Sequence, residues 1–349
     1  MRRKGWIIVT AILAGLLIGD TLYWRAMVRG LESGFQEWVA QRRAAGWTVE
    51  AGPAHVGGWP LAATLYVPEI DVSVGDAILP GGAALRSGPV ALRLRLLHPA
   101  DLAIRLRGTQ HLRFDQSPFI SVDADRLGAQ VSLAGPAPPN HVDILAKTLR
   151  ASRAGAADAA DVLTIGLLSA HVDLASEGSQ GGAVASFSAA TEAIALPSSV
   201  AWPLGRIISS LAVEGSVQGP IPAAGGLTAT ASAWRDAGGS VKIRHLALGW
   251  GPLGLSGSAT LALDEDLQPM GTGTGHLVGY TAALDALARQ GTISRSAATA
   301  ADAVLSLLSN APGEGEPPEV DVPLTLQYRT LSMRQVPLVR LPELDWPAR

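Results

Sequence analysis

Residues 92–107 read LRLRLLHPADLAIRLR and decide the fold. Leucine and arginine alternate over residues 92–96, and leucine, isoleucine and arginine appear with the same alternation over residues 102–107. Because successive side chains of a β-strand point to opposite faces, each half predicts a strand with one apolar and one basic face. Residues 98–101, HPAD, predict the turn that joins the two strands into an antiparallel hairpin.

The basic face of this hairpin carries four arginines, and Arg113 lies close by in the sequence. One interpretation is a solvated outer face. The other is contact with anionic lipid head groups or lipopolysaccharide, to which clustered arginines are attracted. The candidate head-group contacts are Arg93, Arg95, Arg105 and Arg107.

Similar short apolar runs extend on both sides of the hairpin and are separated by Gly, Pro, Asn and Asp, which mark turns. The runs are 61–67, 70–74, 119–122, 131–133, 171–174, 184–187, 227–232, 240–248, 253–263, 273–278, 324–328 and 340–344. Periodicity of three to four residues predicts helices over 198–211, 280–290 and 296–309. Residues 150–160 fit a weak helix or a connector, and residues 312–319 fit a proline-rich loop. The predicted fold is therefore mainly β (α+β): an extended, curved antiparallel sheet with a few packed helices.

The first residues predict a membrane anchor ahead of this sheet. Arg2, Arg3 and Lys4 precede the run WIIVTAILAGLLIGDTLYW at 6–24, whose one charge is Asp20. Nineteen helical residues at ~1.5 Å each span about 28 Å, close to the thickness of the bilayer core. The basic cluster predicts a cytoplasmic N-terminus, with the remaining chain on the other side of the membrane. A cleaved signal peptide and a buried core helix are the alternatives.

Apolar residues recur at helical spacing after this run, with charged residues between them. They are Trp24, Val28, Leu31, Phe35, Trp38 and Val39. The pattern predicts an amphipathic helix that either packs on the sheet or lies on the membrane surface. The chain then divides into an anchor (1–24), an amphipathic helix (25–46), a first β-rich half (47–195) and a second β-rich half with helices (196–349).

Composition and motifs argue against several functions. Only 16% of residues are charged and the net charge is -3, which disfavours nucleic-acid binding. The absence of Cys excludes thiol nucleophiles and cysteine metal sites, and the seven His show no metal-binding spacing. Ser256 lacks the elbow of a serine hydrolase, although a distant His and Asp would complete a triad. We therefore expect no catalytic residues, no cofactor and no metal.

The C-terminal half contains uncommon strings: a Trp-Arg pair before two glycines, then LGWGPL at 248–253 and LDEDLQP at 263–269. The residues that stand out are Trp234, Gly238, Gly239, Trp250, Gly251, Pro252, Asp264, Gln268 and Pro269. They resemble the signature of the domain of unknown function 2125 family of bacterial membrane-anchored proteins. A more distant resemblance to AsmA-like envelope proteins implies a lipid-related role. Structural turns, including a Gly238-Gly239 hairpin turn, are one reading of these strings, and a ligand site near Trp234 and Trp250 is the other.

Together these observations predict a non-enzymatic, single-pass inner-membrane protein with a periplasmic β-rich body. The expected role is cell-envelope maintenance, by binding or transferring lipid along an apolar sheet face. The expected partners are the inner membrane, lipid and other envelope proteins. The alternatives are a structural or interaction module of an envelope complex that binds no ligand, and a periplasmic hydrolase.

Overall fold

A computed structural model describes residues 2–75, 81–115, 117–134, 140–153, 161–174, 183–222, 226–309, 318–333 and 336–346. The connector or weak helix predicted at 150–160 and the loop predicted at 312–319 lie mostly outside these residues, although 150–153 belong to a strand and 319 begins one.

Within these ranges the chain forms four helices and nineteen strands. The helices are α1 (Arg2–Ala44), α2 (Leu227–Asp236), α3 (Tyr280–Arg289) and α4 (Arg295–Leu308). The first nine strands are β1 (Thr48–Ala51), β2 (His55–Gly57), β3 (Ala62–Val67), β4 (Ile70–Val74), β5 (Ala83–Ser87), β6 (Val90–Arg95), β7 (His98–Leu106), β8 (Gln110–Phe114) and β9 (Ile120–Ser132). The others are β10 (His141–Arg153), β11 (Leu163–Leu174), β12 (Ala183–Ala195), β13 (Ile207–Gln218), β14 (Ser240–Trp250), β15 (Leu253–Leu263), β16 (Pro269–Val278), β17 (Glu319–Gln327), β18 (Thr330–Met333) and β19 (Val336–Arg340).

All nineteen described strands belong to one large, curved, open antiparallel sheet. From β9 to β19 each strand pairs with the next in sequence, which makes a long meander. At β9 the sheet divides into two arms, because β8 and β7 pair with different parts of the same strand edge. One arm runs β8–β5–β4–β1 and the other runs β7–β6–β3–β2. The mainly β, curved antiparallel prediction is confirmed.

The predicted hairpin is strands β6 and β7, with Leu92 opposite Ile104 and Leu94 opposite Leu102. Its turn is displaced from the prediction. Arg95 pairs with His98, so the chain reverses at residues 96–97 and the predicted turn residues begin β7. Pairing of residue 101 with Ser132 of β9 draws this segment into the sheet.

Strands β9 to β13 share an irregularity at one level of the sheet. Thr148 in β10 and Ala193 in β12 have positive φ of 49° and 54°. Thr148 and the facing Gly166 both drop out of the paired register. The alternation of apolar residues also shifts by one position at this level. In β10 each even position from 142 to 146 is apolar, whereas beyond Thr148 the apolar residues stand at the odd positions 149 and 151. Such irregularities re-aim side chains, so strict alternation describes each long strand only up to this level.

Helix α1 supplies the core of the molecule at its C-terminal half. Its residues 27–39 cluster with Leu65 and Leu94 from one arm and with Val49 and Ile70 from the other. Trp24 Nε1 also donates a hydrogen bond of 2.9 Å to the carbonyl oxygen of Ala62. The prediction that this amphipathic segment packs on the sheet is confirmed.

The predicted anchor and amphipathic segment form one continuous helix of 43 residues, about 64 Å long at ~1.5 Å per residue. In the described part of the chain, no helix combines the length and the apolar character that a membrane span requires. The anchor over 1–24 therefore stays a prediction.

Three of the predicted elements are wrong. Residues 340–344 are not a strand, because β19 (Val336–Arg340) ends where that run begins and residues 341–346 form neither a helix nor a strand. Residues 198–211 do not form a helix, because β13 (Ile207–Gln218) pairs along its length with both β12 and β14. Residues 227–232 are not a strand. They lie between β13 and β14 in the sequence, and these two strands pair directly with each other, so no strand can be inserted between them. Residues 227–232 begin helix α2 instead. Helices α3 and α4 match the predictions for 280–290 and 296–309 closely.

Candidate functional site

The two faces of the sheet differ in chemistry, and each carries a concavity. On the apolar face, strands β14 to β18 enclose a groove of about 130 Å³. Its floor is formed by backbone where side chains are missing, at Gly257, Gly271, Gly273 and Gly275. Its walls are the leucines and one isoleucine that flank these glycines in register: Ile243, Leu246, Leu255, Leu261, Leu324, Leu326 and Leu331. We call this the glycine groove.

The glycines differ in what a side chain would meet. A Cβ on Gly271 would collide with the backbone oxygen of Thr260, and a Cβ on Gly273 would lie 2.5 Å from the backbone oxygen of Ser258. Close strand approach therefore requires glycine at both positions. At Gly275 a Cβ would meet only side-chain tips, the nearest being Leu324 Cδ1 at 3.3 Å. The missing side chain at Gly275 thus widens the groove without being imposed by the backbone.

On the polar face, strands β6, β7, β9, β10 and β11 line an open pocket of about 850 Å³. All four arginines predicted as head-group contacts line it, and the structure adds a fifth, Arg126 of β9. Sequence reasoning missed Arg126 because β9 is brought to the hairpin by its pairing with β7, in which Arg105 lies opposite Gly128. The predicted grouping of these arginines on one surface is therefore observed, and we call it the arginine pocket.

The acidic groups of the arginine pocket already have partners. Asp101 lies 3.9 Å from Arg95, and Asp125 accepts two hydrogen bonds, of 2.7 and 3.1 Å, from Arg150. Asp143 hydrogen-bonds two histidines.

The remaining four arginines have no carboxylate partner in the part of the chain that the structure describes. They are Arg93, Arg105, Arg107 and Arg126. The Nε atom of Arg93 is in addition buried and lacks a hydrogen-bond partner among the described residues.

A cluster of histidines and aspartates borders the arginine pocket. His141 hydrogen-bonds Asp173 and, at 2.9 Å, Asp143, while His171 hydrogen-bonds Asp143 as well. The cluster arises because β10 and β11 pair His141 with Asp173 and Asp143 with His171. The search for metal-binding spacing among the histidines missed this cluster, although the tripeptide HVD, repeated at 141–143 and 171–173, was a usable signal.

These contacts shift two pKa values in opposite directions. The hydrogen bond to Asp173, followed by that to Asp143, raises the pKa of His141. Partial burial acts to raise the pKa of Asp143, but hydrogen bonds from His171 and His141 outweigh it and the pKa is lowered. The cluster thus favours protonated His141 beside ionised Asp143. Across the described residues, no three His, Cys, Asp or Glu side chains are arranged to hold a metal ion.

Ser256, the residue named for the hydrolase alternative, lies beside a histidine. It pairs with His276 of β16, which pairs with Asp321 of β17 and hydrogen-bonds it at 2.9 Å. The other ring nitrogen of His276 lies 3.5 Å from Glu319, and no described hydrogen bond joins it to Ser256. Because β15 is paired on both sides, its backbone N–H groups are engaged and form no oxyanion hole. Among the described residues, this row therefore shows neither a hydrogen-bonded Ser256–His276 pair nor free backbone donors beside Ser256.

The two signature tryptophans hold turns at the ends of the sheet. Trp234 of α2 donates to the Gln218 oxygen at 3.0 Å, and Trp250 donates to the Gly205 oxygen at 2.8 Å. The Gly238-Gly239 pair ends α2 rather than a hairpin, since its backbone N–H groups return to carbonyls of that helix. Gly251 and Pro252 form the predicted turn between β14 and β15.

The acidic part of the signature shapes the next turn. Asp264 Oδ1 accepts a hydrogen bond of 2.7 Å from the backbone N–H of Gln268, just before Pro269 begins β16. The Gln268 side chain then bonds both the N–H and the carbonyl of Leu344, at 2.9 and 3.1 Å. These residues therefore fix the C-terminal segment against the sheet.

The fold and the two concavities define a class: a mainly β protein built on one large open sheet, with one apolar and one polar face. A family model described as "Uncharacterized protein conserved in bacteria (DUF2125)" matches residues 24–342, and the chain belongs to this family. No curated protein and no solved structure matches the chain. The AsmA-like resemblance remains a prediction.

Proposed function

We propose that this protein is an inner-membrane-anchored envelope protein whose periplasmic body binds an acyl chain of a membrane lipid in the glycine groove. The observation that carries the proposal is the groove itself, an apolar channel whose floor is glycine. Removing apolar surface from water contributes roughly 25 cal/mol per Å², so such a groove favours hydrocarbon. We expect it to hold or transfer lipid in cell-envelope maintenance without catalysing a reaction.

The proposed occupant is a lipid chain because one end of helix α1 in the same molecule exposes apolar side chains. Between residues 12 and 23 of α1 the side chains of Ile12, Leu16, Ile18 and Leu22 are all more than half exposed. From residue 27 onward the helix is packed on the sheet. A helix that is anchored on the body and bare at its other end fits insertion into a bilayer, with its arginines and lysine on the cytoplasmic side. The bilayer would then supply the lipid.

The groove and the arginine pocket lie on opposite faces of the sheet. In the hairpin Leu92 and Leu94 face the core beside α1, so Arg93 and Arg105 point away from it. A chain lying in the glycine groove therefore does not place its head group on these arginines. In this proposal the groove binds hydrocarbon, and contact between a head group and the arginines would require a different ligand molecule.

Photo-crosslinking in living bacteria tests the proposal. A benzophenone amino acid in place of Leu324 lies in the groove wall, whereas the same residue in place of Thr325 points to the opposite face. We expect crosslinked phospholipid at Leu324 and not at Thr325. Equal yields at the two positions, or no lipid at either, would contradict lipid binding in the groove.

A periplasm-specific reporter fused to the C-terminus tests the proposed location and should be active. Activity of a cytosolic reporter instead would contradict that location.

A second candidate is a structural or interaction module, and the sheet edge favours it. In the described part of the chain β19 pairs with β18 alone, and Leu338 and Val339 on it are about half exposed, at 52% and 50%. An unpaired edge is a template for another strand. A benzophenone at Leu338 that crosslinks a protein, with no lipid at Leu324, would favour this candidate.

A further inference from the structure

We propose that the arginine pocket is a binding site for a phosphate-bearing ligand. The inference does not rest on lipid binding in the glycine groove, because the pocket lies on the other face of the sheet. It rests on three observations about the pocket: its size, its unpaired charges and the buried nitrogen of Arg93.

The pocket has the size of a ligand site. Its volume of about 850 Å³ falls within the range of roughly 300–1,000 Å³ that ligand pockets occupy. Its walls are strands of a sheet paired on both sides, so Arg105 and Arg126 project from rigid backbone. A site on rigid strands holds its donors in place before a ligand arrives.

The charges in the pocket do not balance. Asp101, Asp125 and Asp143 are each engaged with a cation or a histidine, as described above. Among the described residues this leaves the guanidinium groups of Arg105 and Arg126, with Arg93 and Arg107, facing the same space without a counter-ion. Like charges gathered in a concave site repel one another and attract an anion, although the chain as a whole carries a net charge of -3.

The donor type and the number of charges together select the anion. A guanidinium presents parallel N–H groups that match the oxygens of carboxylate or phosphate, and such charge-assisted bonds are stronger than neutral ones. Four guanidinium groups without a carboxylate partner favour phosphate, because it carries more negative charge than a carboxylate. The buried Nε of Arg93, which lacks a described partner, is a donor whose hydrogen bond an oxyanion would complete. The ligand is therefore a phosphate group, carried by a lipid head group or free in solution.

Titration calorimetry on the full chain in a phosphate-free nonionic detergent tests this site, with inorganic pyrophosphate as the probe. We expect saturable binding that weakens about tenfold or more in Arg105→Gln and in Arg126→Gln. The affinity of Arg105→Lys for pyrophosphate should lie between those of the wild type and Arg105→Gln, because lysine keeps the charge and loses the paired donors. Arg244→Gln is the matched control: this arginine is on β14, outside the pocket, and pairs with Glu214 at 2.7 Å. It should bind as the wild type does.

The source of the phosphate is decided by competition. Dihexanoyl phosphatidylglycerol below its micellar concentration should displace pyrophosphate if the ligand is a lipid head group, and should fail to do so if it is a free phosphate. Binding of neither probe, or binding that is unchanged in both Arg→Gln variants, would overturn the inference. Because pyrophosphate has no acyl chain, these results are independent of the crosslinking test of the groove.

Discussion

Filling the glycine groove at Gly275 should separate lipid binding from folding. Gly275→Val adds three carbons at the one floor position where a Cβ meets side-chain tips, at 3.3 Å from Leu324, 3.6 Å from Val322 and 4.0 Å from Leu255. Glycine inside a strand costs roughly 0.5–1 kcal/mol relative to alanine, and β-branched residues suit strands. These clearances are those of the Cβ, and the two Cγ atoms of valine reach further into the groove. We therefore expect Gly275→Val to stay folded, with a free energy of unfolding within about 1–3 kcal/mol of the wild-type value.

The effect on binding follows from the volume of the groove. Its 130 Å³ is close to the ~150 Å³ of an engineered cavity that holds benzene, so it takes about six carbons. A valine side chain occupies space for about three methylene groups. At ~0.8 kcal/mol per buried methylene this removes about 2.4 kcal/mol, or about 50-fold in affinity.

The assay is dose-dependent labelling of the full chain by a diazirine phospholipid in lipid nanodiscs, read by mass spectrometry of the groove peptides. The concentration for half-maximal labelling should rise about 50-fold in Gly275→Val. The control is Gly254→Val, on β15 outside the groove, where a Cβ would lie 3.6 Å from Val278. It should label as the wild type does. Unchanged labelling in Gly275→Val with an intact circular dichroism spectrum would refute the reasoning.

Three further outcomes are expected. Leu31→Ala, which truncates a side chain 7% exposed in the core, should lower the free energy of unfolding by about 2–5 kcal/mol in urea titrations, whereas Leu307→Ala (86% exposed) should change it by less than about 0.5 kcal/mol. Gln268→Ala removes both side-chain hydrogen bonds to the C-terminal segment. It should lower the free energy of unfolding by about 1–3 kcal/mol and speed amide hydrogen exchange in residues 341–346. Unchanged exchange there would contradict the role of Gln268 in holding this segment. The stabilisation that His141 gains from its raised pKa is fully present below its unfolded pKa and disappears as pH rises through the raised one. That from the lowered pKa of Asp143 is present above its unfolded pKa and disappears as pH falls through the lowered one. The difference in Tm between wild type and His141→Asn should therefore be larger at pH 5.5 than at pH 9, and an equal difference would refute the assignment.

Much of the candidate site could be read from the sequence, because it depends on local alternation. Arg93 and Arg105 were placed together correctly since a two-residue period and a short hairpin fix both the face and the neighbour. His141 and His171 were missed, because thirty residues separate them and only the register of β10 against β11 sets each opposite an aspartate. The helix predicted over 198–211 failed for a related reason: pairing on both sides outweighed a helical spacing of apolar residues.

The sequence alone determined the strand-rich character, the amphipathic helix and the two chemistries of the hairpin, because each depends on residues a few positions apart. Only the tertiary structure decided which strands became neighbours. It placed Arg126 beside the hairpin, completed the glycine groove with Leu324 from β17, and turned separate short runs into one sheet. The physical reason is that strand pairing joins distant segments through backbone hydrogen bonds, which any sequence can form. The side chains of a strand therefore favour some partners over others but do not determine the partner by themselves.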